Sequence, residues 1–462
     1  MATGNAIPTE LGTEKIGKLL KQYALPAIIA QTAASLYNMV DSIFIGQGVG
    51  PLAISGLAVT FPLMNLSTAF GTLVGAGAAT MLSVLLGQKN YKAANKVLGN
   101  VVTLNILIGL IFMAVALVFI DPILYFFGAS ENTLPYAKEY ISIVLIGNVI
   151  THLYFGLNAA MRSSGSPKKA MGLTIFTVLF NTLLDPIFIF VFDMGIAGAA
   201  WATVIAQTAA LIMVMLHFNN KNRPFHFEKG IIRLDRRVAK DSLVIGMGPF
   251  LMNAAACLVT LFINQQLRRY SGDLGIGAYG ICNRFIFMFI MICMGLNQGM
   301  QPIAGYNYGA RQYSRVREVF WQTAKLATIM TTICFIIGVF IPKAAAGIFT
   351  HDAELLELSA RAMRLTTIMF PIVGFQMITT NFFQSLGMVK KSIILSLSRQ
   401  ILFLLPLLYL LPLWEGADGV WLSFPISDTL ATLLSIFMLG RLFKKFSQLK
   451  DGDDPTILGS HI

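Results

Sequence analysis

Asn181-Thr182-Leu183-Leu184-Asp185-Pro186 lies inside the apolar run 170–192, where Asp185 is the only charged residue. A carboxylate in hydrocarbon costs a few kcal/mol or more, so an intramembrane acid is read first as functional. An earlier run carries the same anomaly, Asp41 within Tyr37-Asn38-Met39-Val40-Asp41-Ser42. How the rest of the chain tolerates these two acids decides its fold and its chemistry.

The chain has 462 residues, 56% of them hydrophobic and only 12% charged. A soluble domain carries about 25% charged residues. Mean hydropathy is +0.70, so the composition is that of a polytopic membrane protein. The net charge of +12 does not imply a nucleic-acid partner. The basic residues cluster in short connections between apolar runs, where membrane orientation explains them. The four cysteines, Cys257, Cys282, Cys293 and Cys334, all lie in apolar runs without a CxxC pair and read as packed thiols. Residues 13–22 read as a short interfacial helix leading into the first span. No removable signal peptide is expected.

Twelve runs reach the roughly 20 residues that a bilayer requires. They fall near 22–46, 52–86, 94–120, 134–160, 168–192, 196–218, 238–268, 275–306, 318–341, 355–386, 391–413 and 419–442. Connections on one side are basic, as at Lys89, Lys92 and Lys96, at 221–240, and at Lys390 and Lys391. Those on the other side carry Asp121, Glu131, Asp193, Asp352 and Glu415, with Arg268, Arg269 and Lys343 as exceptions. The positive-inside rule then places both termini in the cytoplasm.

An internal repeat appears at an offset of 222 residues. Gly87 matches Gly309, Tyr91 matches Tyr313, Phe127 matches Phe349, and Gly165, Lys168 and Lys169 match Gly387, Lys390 and Lys391. Each half holds six spans and enters from the same side, the parallel arrangement expected of alternating-access transporters. The expected fold is an all-α membrane protein, twelve transmembrane helices in two six-helix lobes. The N-lobe is expected over 1–218, a cytoplasmic linker over 219–237, the C-lobe over 238–446, and a disordered tail over 447–462.

At about 1.5 Å per residue, Asp41 lies roughly 25 Å along span 1 and Asp185 roughly 22 Å along span 5, counted from the cytoplasmic ends. Thr203 on span 6 reaches a comparable level, with Tyr140 on span 4 slightly above. Asn181 shares a helix face with Asp185, and Tyr37 shares one with Asp41, each at i−4. If spans 1, 4, 5 and 6 pack together, two carboxylates, an amide, a hydroxyl and two phenols converge. Such oxygens suit protons or a hard monovalent cation, and two carboxylates in one site repel unless one is neutralised. The alternative is that Asp185 merely caps a break at Pro186, but an Asp supplies no donor for the carbonyl that Pro186 frees.

Pro26 is a candidate bend in span 1. The second half places Arg284 and Arg399 inside spans, where Asp428 can neutralise one of them as a structural ion pair. No catalytic constellation is present. Residues 163–166 form a loop without a nearby histidine, and Gly71–Gly77 lacks the Lys-Ser/Thr of a phosphate loop. An enzyme is not expected, nor a cofactor, nor a metal beyond a possible Na+ among these oxygens.

Asn38-Met39-Val40-Asp41-Ser42-Ile43-Phe44-Ile45-Gly46 resembles the first-span signature of the multidrug and toxic compound extrusion family. Residues 162–168, Arg-Ser-Ser-Gly-Ser-Pro-Lys, are similar to that family's loop after span 4, and 181–186 with 195–203 to its spans 5 and 6. The resemblance covers about Lys15 to Phe446 and is greatest to the DNA-damage-inducible and prokaryotic multidrug branch. It implies two six-helix lobes and export of drugs or organic cations in exchange for Na+ or H+. It also implies a cation site of Asp41, Asn181, Asp185 and Thr203, flanked by Tyr37 and Tyr140, with Pro26 as the bending point. Acids that some family members carry on spans 7 and 10 are replaced here by amides, around Asn264-Gln265 and Asn381. The expected setting is the plasma (inner) membrane, multi-pass, with the bilayer and small molecules as partners, no nucleic acid, and one chain as the working unit. The alternative is a flippase or exporter of a lipid-linked precursor, which would need a basic cavity. A receptor or scaffold without flux would leave the two acids without a role.

Overall fold

Backbone groups facing lipid must be satisfied within their own segment, which makes each apolar run a helix. The structure, a computed structural model, describes residues 9–221, 223–227, 230 and 233–453, without the side chains at 37–39, 42–43, 46–47, 51, 54 and 273. Among the described residues there is no strand, and nine helices are long and apolar enough to cross a membrane. Two further spans are bent pairs, Leu134–Ile146 with Asn148–Ser163 at 53° and Ala353–Thr367 with Phe370–Ser385 at 55°. Helix Ile16–Gly48 stands in the place of span 1. Spans 2, 3 and 6 are Pro51–Gly87, Tyr91–Val118 and Gly195–Asn219. The run Arg236–Gly309 breaks at Gly272, whose φ is 63°, into spans 7 and 8. Span 9 is Tyr313–Phe340 and span 12 is Ala417–Phe446. The two bends correspond under the repeat. The first falls at Gly147, and the second just before Pro371, which cannot donate to the preceding turn.

Spans 5 and 11 share an unexpected feature. Pro167–Pro186 continues as a π-helical turn, Ile187–Val191, and Val389–Leu397 as another, Ser398–Leu404. In span 5 the wider ring is seen directly, as Phe192 N–H donates to the Ile187 carbonyl at 3.0 Å. Such turns recur at functional sites, and here each adjoins an intramembrane charge, Asp185 or Arg399.

The chain forms two compact units. Unit 1 contains Ile29–Phe250, and unit 2 contains Glu14–Ile28 and the chain from Leu251. The N-terminal half of span 1 thus packs with the second unit, and that of span 7 with the first. Glycine contacts explain both exchanges. In unit 1, a Cβ on Gly77 of span 2 would strike the Ser242 carbonyl, and one on Gly246 the Leu73 carbonyl. In unit 2, a Cβ on Gly299 of span 8 would lie 2.5 Å from the Ala24 nitrogen, and one on Gly295 2.6 Å from the Ile28 Cα. Backbones packed this closely leave no room for a side chain. Gly77 and Gly299, and likewise Ala24 and Gly246, are partners under the offset of 222, so the exchange itself is repeated. Pro26 and Pro249 stand just before the two boundaries.

Unit 1 also takes in the end of the linker. Lys96 Nζ meets Asp235 at 3.2 Å, and the Asp235 N–H donates to Asn100 Oδ1 at 3.2 Å. Hydrogen bonding from Lys96, and then from backbone N–H groups, holds the Asp235 carboxyl below the usual carboxylate range. In unit 2, Cys282, Cys293 and Cys334 are buried, and Cys257 is half-buried.

The tail expected to be disordered from 447 is held as far as Asp453; residues 454–462 lie outside those described. Asp451 Oδ1 accepts from Ser314 N–H at 3.0 Å, Gly452 N–H donates to the Arg311 carbonyl at 2.8 Å, and Tyr313 Oη donates to the Asp453 carbonyl at 2.9 Å. An aspartate on the free N–H groups that open span 9 acts as a helix cap. Asp451→Ala is expected to cost about 1 kcal/mol, read as a fall of the apparent Tm in detergent relative to an alanine at exposed Gln448.

Candidate functional site

Unit 1 assembles the acidic site around the end of span 5. Pro186 deprives the helix of a donor and the π turn follows, which brings Phe188, Ile189 and Phe190 against glycines of two neighbours. A Cβ on Gly198 of span 6 would lie 2.9 Å from the Phe188 carbonyl carbon, and one on Gly48 of span 1 would meet Ile189. Around this turn close Ile45, Ala53, Tyr140, Ile189, Ile196, Ala199 and Ala200, from spans 1, 2, 4, 5 and 6. This apolar shell keeps the polar side chains within it away from lipid.

Asp41, Asp185, Asn181, Thr203 and Tyr140 are all buried, Asp185 fully. Asn181 Nδ2 donates to Asp185 Oδ1 at 3.3 Å and to Thr203 Oγ1 at 3.4 Å. Thr203 O–H donates in turn to the Ala199 carbonyl at 3.1 Å. The Tyr140 hydroxyl is hydrogen bonded to Thr203 and feels the charge of both acids. Asp185 feels the charge of Asp41. The structure therefore brings together Asp41, Tyr140, Asn181, Asp185 and Thr203. The Tyr37 side chain lies outside the described residues. Pro26 sits inside the Ile16–Gly48 helix, but in its unit 2 half.

The chemistry of the cluster is one-sided. Asp41 Oδ1, Asn181 Oδ1 and Asp185 Oδ2 are buried oxygens without a hydrogen-bond partner. Three acceptors without donors fit a proton or a small hard cation, either of which also relieves the repulsion between the carboxylates. Among the described residues no three His, Cys, Asp or Glu side chains gather as a metal site, so a cation here would be held by mixed carboxylate, amide and hydroxyl oxygens.

Sequence reasoning missed the span 2 wall and a second polar knot in the same unit. His152 Nε2 lies 2.9 Å from the Ser67 carbonyl and 3.3 Å from Ser67 Oγ, and Ser67 O–H donates to Asn148 Oδ1. The repeat carries a signal for this knot, because His152 of the bent span 4 corresponds to Gly374 of the bent span 10. In unit 2, Asp428 pairs with Arg399, Nε to Oδ1 at 2.6 Å, whereas Arg284 is exposed.

Helical spans in a repeated set of six, with Asp41 and Asp185 clustered in one set, are the architecture of a membrane transporter. The family model MatE matches the chain twice, over residues 26–187 and 249–410, copies 223 residues apart. The multidrug export protein MepA of Staphylococcus aureus (strain MRSA252) is 27% identical over 439 residues, 94% of this chain and 97% of that protein. MepA of Staphylococcus haemolyticus (strain JCSC1435) is 26% identical over 424 residues, 92% and 93% of the two chains. A solved MATE multidrug transporter, DinF-BH, is 36% identical, with a TM-score of 0.88 over 95% of this chain and 98% of its own. An outward-facing multidrug resistance MATE family transporter of the MOP superfamily shares the fold, with a TM-score of 0.89 at 22% identity over 97% of this chain and 100% of its own. The chain belongs to the MatE family of multidrug and toxic compound extrusion transporters.

Proposed function

We propose that the protein is a secondary active multidrug antiporter, exporting organic cations or drugs in exchange for Na+ or H+ by alternating access. The observation that carries this is the buried cluster of unit 1, in which two acids each keep an oxygen without a hydrogen-bond partner. Asp41, Asn181, Asp185 and Thr203 form the coupling site, and Tyr140 borders it. Entry of one cation or proton neutralises the pair; its departure restores their repulsion, and that difference is what substrate movement is coupled to. Pro26 is the bending point of span 1. The printed names of MepA and DinF-BH, multidrug export and multidrug transport, support the substrate class. The basic connections support a plasma (inner) membrane orientation with both termini cytoplasmic, and a single chain contains the whole set of coupling oxygens. A lipid-linked precursor finds less support, since Asp428 neutralises Arg399 and little basic charge is left for a pyrophosphate.

Transport of a fluorescent organic cation in proteoliposomes, with Na+ and pH gradients imposed separately, tests the reading. One gradient is expected to drive uptake against the dye's own gradient, and Asp185→Asn is expected to ignore it. Dye flux indifferent to both gradients would defeat ion coupling.

A further inference from the structure

Arg399 is held twice by neighbouring residues of span 12. It lies within the π-helical turn Ser398–Leu404, and Ser427 O–H donates to its carbonyl at 2.7 Å. Its side chain meets the next residue, Nε to Asp428 Oδ1 at 2.6 Å. The carboxylate is the deeper partner, Asp428 being 3% exposed and the guanidinium side chain 25%. Under the repeat Arg399 matches Thr177, and at the slipped offset of 221 Asp428 matches Gln207. The pair is therefore peculiar to unit 2, just as Asp41 and Asp185 are peculiar to unit 1. An apolar pair of similar volume would join two spans at least as well as a buried ion pair, so helix packing alone does not account for it.

We propose that Asp428 is a second carboxylate cation site, in unit 2, and that the guanidinium of Arg399 is its built-in cation. The inference rests on the cation-coupled reading above and specifies it: unit 1 exchanges its cation, and unit 2 carries one that is tethered. The ligand class is a guanidinium or another compact organic monocation, accepted when the tether is removed. Because Ser427 holds the Arg399 backbone independently of the side chain, truncation of Arg399 leaves Asp428 facing the space of the lost guanidinium. Other charges on the packed elements do not replace it. Span 10's second helix, Phe370–Ser385, carries no ionisable side chain, its first helix brings Arg361 to Asp418 nearer the start of span 12, and Lys390 and Lys391 stand at the opening of span 11.

The test titrates methylguanidinium into the purified full chain in detergent and follows thermal unfolding. A saturable rise in Tm is expected for Arg399→Ala, as for any ligand that binds only the folded state, and none for the native chain or for R399A/D428N. No rise in R399A, or an equal rise in R399A/D428N, overturns the assignment. Should R399A fail to fold, the same titration of Arg399→Ser decides, with a saturable rise that R399S/D428N lacks expected and no rise overturning the assignment; infrared difference spectra on acidification serve unit 1. For the coupling site, the spectra of D41N/D185N are read separately, since an unchanged carboxylic acid band there defeats the proposed exchange site and leaves the Asp428 assignment standing.

Discussion

Asp185→Asn is expected to abolish cation-coupled efflux while the chain still folds and reaches the membrane. Asparagine keeps the size of aspartate and can still meet Asn181, which lies 3.3 Å from Asp185 Oδ1. What it loses is the charge that makes a cation or proton worth binding. The second oxygen, Asp185 Oδ2, has no partner in the folded chain, so its replacement by an amide breaks no existing hydrogen bond. Removing repulsion with Asp41 favours folding, if anything. Coupling between two ligands is typically worth 5–150-fold in affinity, so dye efflux from a drug-sensitive host is expected to fall by at least about tenfold at equal membrane abundance. Asp41→Asn is expected to act in the same direction, and the double variant to be no worse than either single one, because both acids serve one bound cation. Asn181→Ala is expected to be milder, since it removes an amide that steadies Asp185 and accepts no charge of its own. Unchanged efflux in both single acid variants would remove the coupling site from this cluster.

That site was legible because its cost was legible. An acid in an apolar run stands out against a rule with few exceptions, and helix rise alone placed Asp41 and Asp185 at one depth. The i−4 relation of Asn181 to Asp185 needed no tertiary information. Span 2's part in the wall was hidden because it contributes Ala53 and Leu57, which read as ordinary apolar residues. The π turns were hidden too: their defining bonds join residues five apart, and no residue type demands them. Pro186 hinted at a break without saying how the chain would absorb it. The exchange of half-spans was the least legible feature. It depends on which backbones touch, and Gly77 and Gly246 advertise close approach without naming the partner. The repeat did contain the answer, since the offset of 222 aligns Ala24 with Gly246 and places Gly248, next to Pro249, opposite Pro26. Asp451 was assigned to disorder from composition alone, because a polar acidic tail gives no sign of a helix end that it caps.

The same glycine contacts give the largest expected effect on folding. Gly246→Val is expected to prevent recovery of a monodisperse protein, and Gly246→Ala to lower its Tm sharply. A Cβ at this position meets the Leu73 carbonyl, a backbone atom, and the reciprocal contact of Gly77 with the Ser242 carbonyl lies beside it. A flexible side chain could turn aside, but a carbonyl fixed in its own helical ladder can move only with its helix. Spans 2 and 7 would have to separate along both contacts together, breaking the packing of Ala78, Met81 and Leu82, all buried. Ordinary overpacking costs about 1–3 kcal/mol where side chains can adjust, and a backbone contact of this kind exceeds that range. Gly299→Val is expected to do the same in unit 2, where the Ala24 nitrogen stands 2.5 Å from the new Cβ. Gly172→Ala is the control, because a Cβ there meets nothing within 4 Å and alanine favours a helix by roughly 1 kcal/mol over glycine. Size-exclusion profiles and thermal unfolding in detergent compare the three positions. If G246A and G172A unfold at the same temperature, the half-span of residues 236–250 is not held in unit 1 by these backbones, and another contact must carry it. If G246A and G299A both fall while G172A holds, the two exchanged half-spans are secured by the same device in each copy of the repeat.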